Sequence, residues 1–202
     1  MKIILKLVLL VTIIVLGYFV VESIMEPVRF NKEKDLREEL VIQKLEDIRA
    51  AQLAYKTING TYMADWDTLI SFIKDSEFPI IKEIADPNDT TNTLIIRDTL
   101  GYIPIVDSLF SHRELFNADH LKYVPIPQKY FANEKFELAS GAITRGGSPV
   151  NVFECQVSYD VILKGLDKQL IINLNKKLTE MSKYPGLKVG SLTEASTEGN
   201  WK

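Results

Sequence analysis

A chain of 202 residues with 24 basic and 27 acidic side chains, formal net charge -3, is long enough for one domain of ordinary size plus an appendage. Hydrophobic residues are 46% and charged residues 25%, a balance that builds a packed core rather than a disordered chain. The acidic balance, with no clustered basic surface, argues against nucleic acid as a partner, and the single cysteine, Cys155, excludes an intrachain disulfide without identifying the compartment.

The first element is apolar. Leu7 to Val21 reads LVLLVTIIVLGYFVV, with Thr12 the only clearly polar side chain. Ile3, Ile4 and Leu5 extend it towards the roughly 20 residues that a spanning helix needs. Lys6 interrupts the run, but a lysine near a helix end can carry its ammonium to the headgroups. A cleaved signal needs small residues at its cut. The flank VESIMEP offers only Ser23, and no cysteine follows that would mark a lipoprotein. Residues 1-21 are therefore expected to be an uncleaved anchor that meets membrane lipid through residues 3-21. Lys2, Lys6 and the terminal amine precede the span, and Arg29, Lys32, Lys34 and Arg37 follow it. By count these slightly favour a cytoplasmic main domain. Glu22 and Glu26 oppose that count weakly.

Pro27 should kink or break the helix, which makes residues 22-30 a juxtamembrane kink. A helical period resumes at Asn31, with Leu36, Leu40, Val41, Leu45, Ile48, Ala51 and Tyr55 on one face. Asn59-Gly60 ends it, since either residue can take the left-handed conformation. Asp65 then caps a second helix carrying Trp66, Leu69, Ile70, Phe72 and Ile73. From Glu77 the pattern turns to strands, at Phe78 to Ile84 and Leu94 to Ile96, separated by the loop PNDTTN. Gly101 to Phe110 and Leu121 to Pro127 contain prolines and read as edge-like. Phe136 to Thr144 follows, then the turn from Arg145 to Pro149.

The clearest strand is Val152 to Val161, where Phe153, Cys155, Val157, Tyr159 and Val161 alternate with polar residues. Cys155 is on the apolar side, so it reads as a small buried hydrophobe and not a nucleophile. Asp167 caps a last helix with the stripe Leu170, Ile171, Leu174, Leu178 and Met181, which Tyr184-Pro185-Gly186 ends. The main domain is thus residues 31-190, and residues 191-202 form a polar, flexible C-terminal tail. The fold class expected is α+β: a long N-terminal helix, membrane span plus amphipathic half, packed on an antiparallel β-sheet with accessory helices. Leu45, Ile48 and Tyr55 should meet a sheet face of Phe153, Val157 and Tyr159.

Candidate chemistry is sparse. His112 and His120, in SHRELFNADH with Glu114 and Asp119, could in principle ligate zinc, but they match no helical H-E-x-x-H spacing. Loop histidines beside acids are more often solvated or salt-bridged. Gly146-Gly147 is a hairpin turn and not a phosphate loop. No G-x-S-x-G elbow is present, and Ser140 and Ser148 have no evident base. No catalytic, cofactor-binding or metal-ligating residue is therefore assigned, and no cofactor is expected. Asp67-Thr68-Leu69, Asp98-Thr99-Leu100 and Asp107-Ser108-Leu109 resemble a motif that some bacteria O-glycosylate in the periplasm.

An apolar N-terminal helix running past a proline into an amphipathic helix, then AYKTINGTY from Ala54 to Tyr62, then a short helix and strands, resembles type IV pilins and the pseudopilins of type II secretion. The likeness covers about the first third of the chain. It implies a long helix whose outer half packs on an antiparallel sheet, and a domain in the periplasm. The family's prepilin-peptidase site is not present in functional form. Gly17 is followed by Tyr18, and Glu22 is the fifth residue after Gly17, but a cut there would discard most of the apolar stretch. The reading is a non-enzymatic, single-pass protein of the inner membrane with protein partners in the envelope. A membrane-tethered periplasmic domain that binds a ligand or glycan is the alternative.

Overall fold

The computed structural model describes residues 2–85, 95–113, 116–127 and 133–201. The N-terminal helix α1, Lys2–Asn59, is a single element of 58 residues with Pro27 inside it. Of the kink or break expected at Pro27, the break does not occur. Proline withholds one donor, the one that would serve the Ser23 carbonyl, and residue 23 is exposed to solvent. The turns on either side keep their own hydrogen bonds, so the helix continues. It stops where expected: Asn59 is its last residue and Gly60 takes φ 76°.

After the corner come α2, Trp66–Asp75, then β1, Glu77–Ala85, and β2, Ile95–Pro104, then the short helix α3, Ile105–Phe110. Asp65 caps α2 by accepting from the Thr68 amide at 2.7 Å. β1 and β2 form an antiparallel two-stranded ribbon of their own. The loop PNDTTN and Leu94 lie outside the described residues. Gly101 to Pro104 belongs to β2, while Ile105–Phe110 is helical, so the strand expected to run to Phe110 is two elements. Leu121 to Pro127 forms no strand; Tyr123 makes one isolated antiparallel bridge, to Lys135.

The main sheet holds β3, Glu137–Arg145, β4, Ser148–Ser158, and β5, Gly186–Gly190, in the order β3-β4-β5. β3 and β4 are an antiparallel hairpin, joined through Gly146 and Gly147 at φ 58° and 82°. Two successive positive φ values define the turn that matches the twist of the strands, and glycine reaches them without a Cβ penalty. β4 ends at Ser158, and Tyr159–Ile162 form the one-turn helix α4. The alternation read through Val161 thus overran the strand by three residues. Ser158 takes the extended conformation of a helix-start residue, with Asp160 in the first turn. α5, Lys168–Glu180, begins as expected at Asp167, whose side chain accepts from the Leu170 amide.

The chain divides into two compact units. One takes the helix up to Ile42 together with Val157–Leu187, and buries Phe30, Val41, Ile162, Leu163 and Ile171. The other takes Gln43–Val124, Asn133–Gln156 and Lys188–Lys202. Its core is Leu45, Ile48, Leu69, Ile73, Ile105, Leu121, Phe153 and Val189. The outer part of α1 is therefore buried within a unit that also contains the β3-β4 hairpin, as an α+β fold requires. Cys155 is fully buried on β4, and burial pushes its thiol well above the ordinary range.

Two expectations about packing change. Leu36 and Leu40, assigned to the buried face, are 53% and 51% exposed, and Tyr55 stacks edge-on against Phe72. Phe153 instead faces the ring of Tyr62 at 4.7 Å. The segment after Gly190 is not a loose tail: Asn200 N–H donates to the Lys188 carbonyl, Gly190 N–H to that of Glu198, and Val189 bridges Gly199. Polar side chains there coexist with backbone groups paired to β5.

Ile48 is fully buried and Glu46 exposed, two residues apart on the same helix. Ile48→Val should cost about 0.5–1.5 kcal/mol. Glu46→Gln should stay within about 0.5 kcal/mol. Thermal melts of the full chain in detergent test the pair; equal effects would mean that this face is not docked.

Candidate functional site

The apolar run of α1 is defined by what fails to cover it. Every side chain from Ile3 to Val21 is exposed, and the most apolar 18-residue window of α1 has mean hydropathy 2.8 with none of it buried. The core helix of a globular domain would be mostly buried. This helix is long and apolar enough to cross a membrane, and no described residue shields it.

Beyond it, α1 carries a polar cluster within the first unit. Arg37, only 4% exposed, donates from Nη1 to the carbonyl oxygens of Ile162 at 3.1 Å and Lys164 at 3.0 Å, and from Nε to Glu33 Oε1 at 3.0 Å. The guanidinium thus ties the end of α4 to α1. The next residue, Glu38, accepts from the Tyr159 hydroxyl and from Lys34 Nζ at 2.8 Å. Lys34 lies over the Tyr159 ring, 5.9 Å from its centre. Burial, and then the Glu38 carboxylate, raise the Tyr159 phenol above its usual range.

That shift has a sign. A folded-state value above the unfolded value of about 10 contributes stability that is complete below pH 10 and is lost as pH rises beyond it. Tyr159→Phe should cost about 1–2 kcal/mol at neutral pH, as for a hydrogen bond to a charged acceptor. It should also flatten the alkaline loss of stability. Denaturant melts at pH 7 and above pH 10 check both; an unchanged alkaline slope would remove Tyr159 from the account.

In the second unit the corner is held by Gln52, which is fully buried. Its Nε2 donates to the Met63 carbonyl at 2.6 Å and its Oε1 accepts the Met63 amide at 3.0 Å. One side-chain amide thereby satisfies both backbone groups of a residue on the far side of the turn. Asn151 Nδ2 donates to the Gly60 carbonyl at 2.8 Å, and Trp66 Nε1 to that of Phe136 at 3.2 Å. The corner is closed by side chains that bond its backbone groups.

The histidine segment does not converge. His112 and His120 are both exposed, and Glu114 lies outside the described residues. Asp119 is taken by Lys74, whose ammonium stands 2.7 Å from each carboxylate oxygen. Among the described residues no group of three or more His, Cys, Asp or Glu side chains is placed to hold a metal ion. The charged pair that does form nearby, Asp47 with Arg113 at 2.9 Å, was not visible in the sequence. Burial raises the Asp47 carboxyl despite that guanidinium, and burial lowers the Lys44 ammonium. Of the Asp-Ser/Thr motifs, Thr68 is engaged in the α2 cap, its hydroxyl donating to Asp65 at 2.7 Å.

Together these observations define an α+β protein of pilin-like architecture with one N-terminal helix apolar enough to serve as a membrane anchor or signal. No protein family, curated protein or solved structure matches the chain.

Proposed function

We propose that this is a non-enzymatic, single-pass protein of the inner membrane, pilin-like in build, whose domain stands in the periplasm as a subunit or partner of a membrane-associated assembly. One observation carries the reading: the wholly uncovered apolar helix passes without a break into a helix that is buried within the domain. A protein that needed only to reach the membrane would be served by an anchor on a loose linker.

The test is membrane extraction. The full chain should remain in membranes through carbonate and high-salt washes with its N-terminus intact by mass spectrometry. A reporter active only in the periplasm, fused after Lys202, should be active. Release by carbonate, or a start near Glu22, would refute the anchor. Activity of a cytoplasm-only reporter at the same position would refute the sidedness.

A further inference from the structure

We propose that the groove on the first unit, where α1 leaves its apolar run, is a seat for a phospholipid headgroup that carries a primary ammonium. The inference rests on the anchor reading and is independent of which side of the membrane the domain occupies. The groove holds about 670 Å³, within the range of small-molecule sites. Its wall is one face of α1, Glu22, Glu26, Arg29 and Glu33, and its far side is the loop before α5 with Leu166 and Asp167.

Position comes first. The apolar run ends at Val21, and a helix rises about 1.5 Å per residue, so Glu22 to Arg29 occupies roughly the next 10 Å. The headgroup layer is about 5–8 Å deep on each side of the hydrocarbon. In an anchored chain this wall of the groove therefore stands among headgroups.

Charge then selects the headgroup. Among the described residues four carboxylates line the groove, Glu22, Glu26, Glu33 and Asp167, against the guanidiniums of Arg29 and Arg37. Glu22 is engaged by Arg29 at 2.9 and 3.1 Å, and Glu33 by Arg37. Glu26 forms no hydrogen bond or ion pair with any described residue. The surplus is negative, which disfavours an anionic headgroup. The carboxylates do not gather into a cation cage, which disfavours a metal ion. A quaternary ammonium is recognised by a cage of aromatic faces, and among the described lining residues the one aromatic ring, Phe30, is itself buried. A primary ammonium donates hydrogen bonds, and Glu26 has acceptors to receive them. The adjoining phosphate meets Arg29, whose side chain is 62% exposed and keeps donors beyond the two given to Glu22. Both charges of a zwitterionic headgroup thus find a partner of opposite sign.

Native mass spectrometry of the full-length protein in mild detergent, titrated with phosphatidylethanolamine, phosphatidylcholine or phosphatidylglycerol of matched chains, tests this. Phosphatidylethanolamine should be retained about three- to fivefold over the other two, the scale of one partly exposed ion pair. Glu26→Gln should abolish that preference, while Glu39→Gln, exposed on α1 and outside the groove, should keep it. Equal retention of the three lipids, or a preference that survives Glu26→Gln, overturns the assignment. Displacement by water-soluble glycerophosphoethanolamine would move the source from the bilayer to a free phosphodiester and overturn the lipid assignment; failure to displace supports it. Vesicle flotation separates the two readings. Flotation without selectivity defeats the headgroup seat alone, whereas failure to float with any vesicle defeats the anchor and this inference with it.

Discussion

Arg37→Met should destabilise the first unit by about 3–4 kcal/mol, more than any exposed charge on α1. The side chain is almost fully buried and serves two carbonyls at the end of α4 as well as the Glu33 carboxylate. Methionine fills much of the volume but leaves the Ile162 and Lys164 carbonyls without this donor. The Glu33 part of the loss is small, because that carboxylate is 41% exposed and water can replace the guanidinium. Arg37→Lys should recover less than half of the loss, since an ammonium lacks the planar fork that reaches two carbonyls and a carboxylate together. Chemical denaturation gives the magnitude, and amide exchange should show the loosening concentrated at Tyr159–Ile162. A loss under about 1 kcal/mol would mean that the carbonyls are satisfied without Arg37.

The second large effect is at the corner. Gln52→Leu should cost about 2–4 kcal/mol, because it keeps the buried volume but strips the Met63 amide and carbonyl of their partner. Gln52→Glu separates this mechanism from simple packing. The carboxylate can still accept from the Met63 amide, but its second oxygen then faces the Met63 carbonyl, acceptor against acceptor, in a site closed to water. It should be worse than leucine at neutral pH. It should recover as pH falls and protonation restores a donor, since burial holds a carboxyl above its ordinary value. Melts of the three proteins at pH 5 and pH 8 decide it. If Gln52→Leu is neutral, or Gln52→Glu shows no gain on acidification, the clamp does not hold the corner.

These two residues also mark the boundary of what a linear reading reaches. Apolarity alone puts Leu36 and Leu40 on the buried face of α1, yet both are exposed. The face that is buried runs Arg37, Val41, Leu45, Ile48 and Gln52, with steps of four, four, three and four residues. Its period is helical, and Val41, Leu45, Ile48 and Ala51 are buried as their apolarity implies, but Arg37 and Gln52 share that face, so apolarity misses its polar members and puts Leu36 and Leu40 on it in error. Arg37 is recognisable as a core residue only through Ile162 and Lys164, 125 and 127 positions away.

Sequence by itself determined the features whose physics is local. The apolar stretch to Val21 is a matter of composition and length. The caps at Asp65 and Asp167, the stop at Asn59-Gly60 and the glycine turn at Gly146-Gly147 each depend on one side chain, or its absence, acting on a backbone a few residues away. Tertiary structure alone decided the rest. Ser158 to Ile162 satisfies both a strand alternation and a helix start, and the Tyr159 amide settles on the Pro185 carbonyl, which no short window contains. The polar segment from Ser191 looked loose because its side chains bury little, yet its backbone pairs with β5. The groove beside Glu26 exists only because the loop before α5 closes against α1, a meeting of residues more than a hundred positions apart. Local chemistry sets where elements begin and end, while burial and pairing depend on partners that only folding brings within reach.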